Sequence, residues 1–379
     1  MNIADITASI VRIAAKIPYR MGPMEDGGDE YYGLIVTVTT DQGVKGYGEV
    51  FLTPGWYAPD TPMGMIGIVE RTFAPALKGV CVMDTERVVA VMDKAWELGN
   101  LFAKSAVEMA VHDAAARSIG RSVCDLMGGR VRDRFALSGG VGHDTPDRMA
   151  ATAKKLVDRG FRTIKLKIGA KTDPEFDVVR VRTVREEIGP DIKLRLDGNG
   201  VFTVPEAIRL IRKLEPYDLE HVEQPVPGWN VDGMAEIRSK IGAPLMADES
   251  VHSVQDAMRV VKAGAADAVK IKIAKTGGYR RSQQIAAICA SAGVDVLIGQ
   301  GIGTSLQALA ELHFACSHAA VKPAAEFIGS DKLTDDILKS PMTIEDGHAL
   351  LPEGPGCGIE VDERKLESLG VSFSAKRAA

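Results

Sequence analysis

The chain has 379 residues, which is longer than most single domains, so a large domain with a smaller additional one is predicted. Its 46 basic and 51 acidic side chains are scattered and give a net charge of −5, which excludes the basic surface of a nucleic-acid or membrane-surface protein. A small-molecule substrate is the expected partner. The five cysteines form no CxxC pair, and no apolar run reaches about 18 residues, so we expect a soluble, cytoplasmic protein without a zinc site.

The first 60 residues predict a small antiparallel sheet with two long loops. Runs of strand-forming residues define three strands, at 3–13, 32–39 and 44–50. The turn Thr40-Asp-Gln-Gly43 between the second and third strands predicts a hairpin. Segments rich in glycine and proline follow the first and the third strand, and we expect loops at 18–30 and 53–60.

Three helices are predicted next. The spacing of apolar residues indicates helices at 62–78, 84–97 and 103–118. Asp84 stands where a residue that caps the second helix is expected. The segment Leu126-Met-Gly-Gly-Arg130 would interrupt any helix, so we place a domain border near residue 130.

From Phe135 onward, strands alternate with helices, which is the pattern of βα units around a parallel sheet. The eight predicted strands lie near 135–141, 162–168, 192–197, 219–223, 244–247, 267–273, 294–299 and 324–328. The predicted helices lie near 146–159, 174–188, 203–214, 231–240, 253–263, 278–291 and 304–318. Eight strands are enough to close a barrel, although a helix after the last strand is not evident. An open doubly wound sheet is the alternative, but charged groups at five successive strand ends fit a barrel rim better.

Charged residues recur every 24 to 30 positions at the ends of five predicted strands. The three acidic positions are Asp197, Glu223 and Asp248. Because the C-terminal ends of barrel strands share one rim, the three carboxylates are expected to converge. Hard oxygen ligands without imidazole or thiolate favour Mg²⁺, or Mn²⁺, over Zn²⁺.

Two pairs of lysines flank these carboxylates in sequence. Lys165 and Lys167 are two apart on one strand and face the same side, and Lys270 and Lys272 repeat the pattern four strands later. A buried parallel strand has no solvated face, so charge there requires a reason. Two ammonium groups close together lower the pKa of at least one, which makes a base that works near neutral pH. We therefore expect two candidate bases on opposite sides of a metal-bound substrate.

Five motifs together resemble the enolase superfamily, in the muconate lactonizing subgroup of the mandelate racemase/muconate lactonizing enzyme family. They are KLKIG (165–169), DGNG (197–200), EQP (223–225), ADES (247–250) and KIAKTGG (272–278). The helix that begins near Ala103 and the LMGG after it resemble the capping domain of that family, and Pro352–Gly358 resembles its C-terminal return. The resemblance implies an α/β fold: a (β/α)7β modified TIM barrel at 131–345 and an α+β N-terminal capping domain at 1–130, completed by a C-terminal segment at 346–379.

The resemblance also implies roles for these residues. Asp197, Glu223 and Asp248 would bind Mg²⁺, which holds the substrate carboxylate and stabilises the enediolate formed when the α-proton leaves. Lys167 would be the base on one face, tuned by Lys165, and Lys272 would be the base or acid on the other. Asn199 and Glu249 match positions that support the site. The loops at 18–30 and 53–60 would close over the substrate.

The chain departs from the family after the seventh strand. Many relatives carry an acid in a Met-Leu-Glu-type motif there, and an ungapped match places Gly303 at the position of the acid. The glycines of Gly299–Ser305 could form a tight turn, or Gln300 could reach the ligand. Glu326, near the eighth strand, could act in the site or pair with Lys322.

These features predict a magnesium-dependent enzyme that removes the proton α to a substrate carboxylate, as a racemase or epimerase. Muconate-type cycloisomerisation and dehydration are alternatives, and a non-catalytic metal-binding scaffold is an alternative of another class. The acids Glu25, Asp26, Asp29 and Glu30, with Trp56 and Tyr57, predict a cationic substrate such as an imino acid, a betaine or another amino-acid derivative. The alternative is that the acids form a solvated loop and the aromatic residues pack at the domain interface. N-acyl amino acids and dipeptides also fit. A homo-oligomer, as a dimer or octamer, is expected from the resemblance.

Overall fold

The structure is a computed structural model, and it describes residues 1–16, 19–22, 28–52, 57, 60–170, 174–327 and 329–371. Among the loop residues named above, Glu25, Asp26 and Trp56 lie outside these ranges. Within the described residues, no helix combines the length and the apolar composition that a bilayer crossing requires.

The N-terminal region contains the predicted antiparallel sheet. Its strands run in the order β1-β2-β3, with bounds Ile3–Ala14, Glu30–Thr40 and Lys45–Leu52. The predicted hairpin between β2 and β3 is confirmed, because Thr40 N donates to Val44 O at 2.9 Å. Gly43 has φ +77° in this turn, a conformation that glycine adopts without strain.

Five helices follow this sheet. They are α1 (Pro62–Ile68), α2 (Ala74–Leu77), α3 (Thr85–Ala95), α4 (Leu101–Ser118) and α5 (Val123–Leu126). The predicted helix at 62–78 contains one π-helical turn, Val69–Phe73, between α1 and α2. Asp84 stands at the N-cap of α3 as predicted, but its side chain makes no capping hydrogen bond there.

Helix α4 packs unusually close to strand β3. Gly46 and Gly48 lie on the same face of the strand, since they are two residues apart. A Cβ on Gly48 would fall 2.0 Å from Ala106 O, and one on Gly46 would fall 2.2 Å from Ala114 N. The other face of α4 reaches the large domain, where Ser105 Oγ donates to Ile273 O at 2.9 Å. This helix therefore joins the N-terminal sheet to the element that follows Lys272.

Seven parallel strands form the sheet of the large domain, in the order β11-β10-β9-β8-β7-β6-β5. Their bounds are Gly139–Val141 (β5), Thr163–Lys167 (β6), Lys193–Asp197 (β7), Leu219–Glu223 (β8), Leu245–Ala247 (β9), Ala268–Ile271 (β10) and Asp295–Ile298 (β11). The helices are α6 (Pro146–Asp158), α7 (Pro174–Ile188), α8 (Val204–Leu214), α9 (Val231–Arg238), α10 (Val254–Ala263), α11 (Ile273–Thr276), α12 (Tyr279–Ser291) and α13 (Ser305–Ser317). The strands and helices alternate as predicted. The strand order follows the chain without a reversal, which excludes a doubly wound sheet.

The sheet closes through the segment 321–326 in place of a regular eighth strand. Val321 and Glu326 form parallel bridges to Val296 and Gly299 beside β11, and Ala325 bridges to Leu137 next to β5. The prediction of one strand at 135–141 was wrong, because this segment divides into β4 (Arg134–Ala136) and β5. The break allows β4 to leave the barrel and pair with the C-terminal strand His348–Leu350.

The C-terminal segment returns to the N-terminal region. Strands β12 (Ile344–Glu345) and β13 (His348–Leu350) form a sheet with β4, and α14 spans Glu363–Leu369. Cys357 N donates to Asp113 Oδ1 on α4 at 2.7 Å, and Val371 N donates to Ile10 O on β1 at 2.8 Å. These hydrogen bonds support the predicted return, while the borders at 130 and 345 stay a prediction.

Candidate active site

Three carboxylates lie at the C-terminal ends of consecutive parallel strands. Asp197 ends β7, Glu223 ends β8 and Asp248 follows β9. The parallel register pairs Asp197 directly with Glu223. Their relative exposures are 1%, 0% and 0%. Carboxylates this deeply buried are costly unless cations or hydrogen bonds compensate them, so this rim requires positive charge.

Lysines supply that charge from both sides. Lys167 Nζ lies 2.6 Å from Asp197 Oδ2, and Lys165 Nζ lies 2.9 Å from the same oxygen. On β10, Lys270 Nζ contacts Glu223 Oε2 at 2.5 Å. Lys272, which directly follows β10, contacts Asp248 Oδ2 at 2.6 Å. Because β6 and β10 are separated by the three carboxylate strands, the two lysine pairs face each other across the rim.

The pKa directions follow from these contacts. Burial lowers the pKa of Lys165, but Asp197, Glu223 and Glu326 outweigh it, so the pKa lies well above its usual value. This is opposite to the lowering that repulsion between Lys165 and Lys167 predicted. Burial also opposes the charge of Lys272, yet Asp248 and Tyr57 raise its pKa well above normal. The carboxylates around both ammonium groups therefore outweigh the cost of burying them.

The carboxylates fit a hard divalent cation by their donor chemistry. Burial and the charge of Asp197 raise the pKa of Glu223 to about 8, and Glu223 Oε1 is buried without a hydrogen-bond partner. In the part of the chain that the structure describes, no three His, Cys, Asp or Glu groups are grouped closely enough to hold a metal ion. The lysines hold oxygens of Asp197 and Asp248, so cation binding requires these ammonium groups to move.

Asn199 and Glu249 lie beside the carboxylates and are hydrogen-bonded to each other. Asn199 Oδ1 accepts from Lys167 Nζ at 2.7 Å, and Asn199 Nδ2 donates to Glu249 Oε1 at 3.0 Å. Asn199 N donates to Asp197 Oδ1 at 3.0 Å, so one asparagine orients a candidate base and a candidate ligand together. Burial, with Asp248 beside it, raises the pKa of Glu249 to about 7.

Two further residues hold Asp248, and the sequence analysis did not single them out. Lys275 Nζ lies 2.6 Å from Asp248 Oδ1 and is fully buried. Gln224 Oε1 accepts from Asp248 N at 2.9 Å and from Ser250 N at 3.1 Å. Lys275 stands inside the KIAKTGG motif, and Gln224 inside EQP. An amide side chain directly after a buried strand is the signal that could have identified Gln224, and a further lysine within the KIAKTGG motif is the signal for Lys275.

Glu326 belongs to the site. Its Oε2 lies 2.7 Å from Lys270 Nζ and also contacts Lys165 Nζ. The alternative of a Glu326–Lys322 pair was wrong, because Lys322 Nζ lies 3.7 Å from Asp295 instead. Lys322 is carried on the outer side of the closing segment, with its side chain 56% exposed.

The turn after β11 places Gln300 in the site. Gln300 is 7% exposed, and neither of its amide atoms has a hydrogen-bond partner among the residues that the structure describes. Gly303 is not in the left-handed region, so a strained turn does not explain this glycine. A Cβ at Gly303 would fall 2.6 Å from Gln300 Nε2 and 2.7 Å from Gln307 Oε1. The space beside the position of the missing acid is therefore filled by two glutamine side chains.

Glu49 of β3 holds this turn from the N-terminal sheet. Its carboxylate accepts from Thr304 N at 2.8 Å and from Gln307 N at 3.0 Å, at the N-terminus of α13. Thr304 Oγ1 also donates to it. Burial raises the pKa of Glu49 to about 7 against these hydrogen bonds, which lower it.

Tyr57 and Glu30, which were predicted to face a cationic substrate, contact cationic side chains of the protein instead. Tyr57 places its ring centroid 4.4 Å from Lys272 Nζ, so it faces a cation of the protein itself. Asp29 and Glu30 are exposed, and Glu30 lies 3.8 Å from Arg12. The described part of these loops therefore gives no support to a cationic substrate.

A cavity opens at this rim. The predicted residues that line it are Tyr57, Lys165, Lys167, Asn199, Lys272, Gln300 and Glu326. Tyr19 and Lys332, which the sequence analysis did not single out, line it too. The cavity thus lies between Lys165 and Lys167 on one side and Lys272 on the other.

Comparison with known proteins agrees with this geometry. The family described as "Mandelate racemase / muconate lactonizing enzyme, N-terminal domain" matches residues 6–128, and "Enolase C-terminal domain-like" matches residues 148–365. Muconate cycloisomerase 1 of Rhodococcus opacus is 35% identical over 339 residues, covering 87% of this chain and 88% of that protein.

Two solved structures show the same fold over nearly the whole chain. N-succinyl Arg/Lys racemase from Bacillus cereus superposes with a TM-score of 0.93 at 30% identity, covering 98% of this chain and 99% of that one. The L-Ala-D/L-Glu epimerase from Bacillus subtilis gives a TM-score of 0.89 at 31% identity, covering 95% and 99%. The relatives are thus racemases, epimerases and cycloisomerases, all isomerases. The chain belongs to the enolase superfamily, in its muconate lactonizing enzyme subgroup.

Proposed function

We propose that the protein is a divalent-cation-dependent racemase or epimerase of an amino-acid derivative that moves the proton α to a carboxylate. The observation that carries the proposal is the placement of Lys167 and Lys272 on opposite sides of the three carboxylates. One lysine removes the proton and the other returns one on the opposite face, which inverts the carbon. Relatives named as an N-succinyl-L-Arg/Lys racemase and an L-Ala-D/L-Glu epimerase support this reaction class.

Asp197, Glu223 and Asp248 would hold the cation, with Mg²⁺ as the first choice and Mn²⁺ as the second. When bound, the cation supplies positive charge that binds the substrate carboxylate and offsets the negative charge developing on it. Enolase-superfamily enzymes use Mg²⁺, and a related dipeptide epimerase was solved with Mg and a dipeptide.

Other residues of the site would position the two candidate bases and the acids around them. Lys165 and Lys270 hold Glu223 and Glu326 in place by charge. Asn199 orients Lys167, and Tyr57 covers Lys272 and reduces its contact with water. A lysine that has lost its proton is the base, so each turnover requires one neutral and one protonated lysine.

Cycloisomerisation is the second candidate. The identity of 35% with a muconate cycloisomerase favours it, whereas the glycine at position 303 replaces an acid of many relatives. Dehydration uses the same first step, and a non-catalytic scaffold would not require both lysine pairs.

We further propose a cytoplasmic homo-oligomer, dimer or octamer, with domain borders at 130 and 345. Light scattering of the purified protein and limited proteolysis test the oligomer and the borders.

The test is α-proton exchange in deuterium oxide with Mg²⁺, read by mass spectrometry. Dipeptides, N-acyl amino acids, prolines and betaines are supplied as both antipodes. We expect the wild type to exchange both antipodes of one class. Lys167→Ala and Lys272→Ala should each lose exchange with one antipode, opposite in the two variants, by about 10²- to 10⁴-fold.

Lys322→Ala is the matched control, since Lys322 is exposed and lies outside the cavity. It should exchange both antipodes at the wild-type rate. If either Lys167→Ala or Lys272→Ala retains exchange with both antipodes, the two-base assignment is wrong. If the wild type exchanges no member of the panel, elimination or lactonisation replaces racemisation as the proposed reaction.

A further inference from the structure

The backbones of the two candidate bases are held in different ways. Lys167 is the last residue of β6 and pairs with Asp197 in the parallel ladder, so the sheet itself fixes its backbone. The paired residues of β10 end at Ile271, which pairs with Ile298. Lys272 lies beyond this pairing and is the N-cap residue of α11. The position of Lys272 therefore depends on how the four-residue helix α11 is held.

A buried carboxyl group on α13 holds the first turn of α11. Glu311 Oε1 accepts from Ile273 N at 3.0 Å. The first N–H groups of a helix have no partner within the helix, and Glu311 supplies one. Ile273 N belongs to the peptide unit that joins Lys272 to Ile273, and the carbonyl of the same unit accepts from Thr276 N at 3.1 Å. Glu311 thus fixes the peptide unit from which the Lys272 side chain extends.

Glu311 makes no other hydrogen bond among the residues that the structure describes. Its relative exposure is 0%, and its Oε2 is buried without a partner among those residues. Burial raises the pKa of Glu311 well above its usual value, which favours the neutral acid. A buried carboxyl group with a single hydrogen bond is costly, so we expect the contact with Ile273 to serve a purpose.

A second side chain holds the same residue from the N-terminal region. Ser105 Oγ on α4 donates to Ile273 O at 2.9 Å. Ile273 is therefore held at its N–H by α13 and at its carbonyl by α4, and neither of these contacts involves a strand of the barrel. From this backbone Lys272 Nζ reaches Asp248 Oδ2 at 2.6 Å.

We propose that Glu311 is a positioning residue for Lys272: by holding Ile273 N, it sets the direction from which Lys272 meets the α-carbon of the substrate. Lys167 does not depend on Glu311, because the strand ladder fixes it. Removal of the α-proton on one face, and not on the other, should therefore require Glu311. A purely structural role would affect both faces equally. This inference rests on the proposed function, because it assigns one face to each lysine.

The test measures α-proton exchange in deuterium oxide with Mg²⁺, for both antipodes of the compound that the wild type exchanges fastest. The antipode that loses exchange in Lys272→Ala identifies the face of Lys272. Glu311→Met fills a similar space but cannot accept a hydrogen bond. We expect it to slow exchange of that antipode by about 10- to 100-fold and to change the other by less than about two-fold. Glu311→Gln keeps the acceptor and should stay within about two-fold of the wild type for both.

Glu108→Met is the matched control. Glu108 is also fully buried, and its Oε1 accepts from Arg280 N at 2.9 Å in the first turn of the next helix, α12. This substitution should change exchange of both antipodes by the same factor. Ser105→Ala is a milder change at the other contact of Ile273, and it should slow the same antipode as Glu311→Met. It decides the question if Glu311→Met does not fold.

Equal slowing of both antipodes in Glu311→Met, or in Ser105→Ala where that variant decides, would overturn the inference. Slowing in Glu311→Gln as large as in Glu311→Met would do so too. Crystal structures of the wild type and Glu311→Met separate this inference from the proposed function. If the wild type exchanges no compound, a Lys272 Nζ displaced by about 1 Å, with Lys167 in place, still supports the positioning role, and only the proposed reaction fails. An unmoved Lys272 overturns the positioning role whatever the exchange.

Discussion

Replacing Gly303 by alanine tests whether Gln300 contacts the substrate. A Cβ at this position would lie 2.6 Å from Gln300 Nε2 and 2.7 Å from Gln307 Oε1. Gln307 cannot retreat easily, because its Oε1 accepts from Phe51 N at 3.0 Å. Gln300 has no such partner, so its amide must move by about 1 Å to restore a normal contact. A misplacement of this size reduces kcat/KM by about 10- to 100-fold.

The same substitution should also lower the stability modestly. Gly303 does not have a positive φ, so its backbone accepts alanine, which stabilises a compatible site by about 0.4–1 kcal/mol through the unfolded chain. The contact with Gln307 Oε1, which Phe51 N holds in place, is overpacked, and overpacking costs about 1–3 kcal/mol. Urea unfolding should therefore give a free energy about 1–2 kcal/mol below that of the wild type.

The assay is kcat/KM for the compound that the wild type exchanges fastest in deuterium oxide. Urea unfolding of the same preparation shows that the fold is retained. A Gly303→Ala variant that keeps kcat/KM within about two-fold of the wild type would refute the role given to Gln300. A loss of stability above about 3 kcal/mol together with activity would show that more than these two glutamine side chains is displaced, and would refute the reasoning.

Two further predictions concern the packing of strand β3, against α4 and against the turn before α13. Gly48→Ala would place a Cβ 2.0 Å from Ala106 O, so β3 and α4 must separate, and the free energy of unfolding should fall by about 3 kcal/mol or more. Gly67→Ala is the control, because the space around its Cβ is open. Equal effects of the two substitutions in urea unfolding would contradict the close packing of β3 on α4. Glu49 has a folded pKa of about 7, above its ordinary 4.5, so its contribution is fully present below pH 4.5 and is lost as pH rises to 7. Relative to Glu49→Gln, the wild type should lose about 3 kcal/mol over this range, and parallel curves for the two proteins would show that Glu49 does not titrate there.

Local sequence was sufficient for the outline of the fold and for the residues of the rim. The reason is that the C-terminal ends of parallel strands share one edge of the barrel. The spacing of the strands along the sequence is therefore enough to place a charged residue at each strand end on that edge. Lys167, Asp197 and Lys272 could be placed in this way without any coordinates. The hairpin at Thr40–Val44 was similarly local, because turn residues and alternation act within a few positions.

Only the tertiary structure decided contacts between residues distant in sequence. Glu326 meets Lys270 rather than Lys322, although Lys322 is much nearer along the chain. The strand near 135–141 divided because one half pairs with β13, more than 200 residues away. Such pairings depend on chain closure and on the packing of whole elements, which no short window of sequence contains.

The same limit explains the residues that the sequence analysis missed. Lys332 and Tyr19 stand in stretches without a motif, and their proximity to the rim appears only when the barrel is closed. Gly303 carried a visible departure from the family, but the glutamine side chains that fill its neighbourhood come from both sides of the turn. The chemistry of proton abstraction could thus be inferred from strand ends, whereas the shape and charge that select a substrate were decided by the assembled cavity.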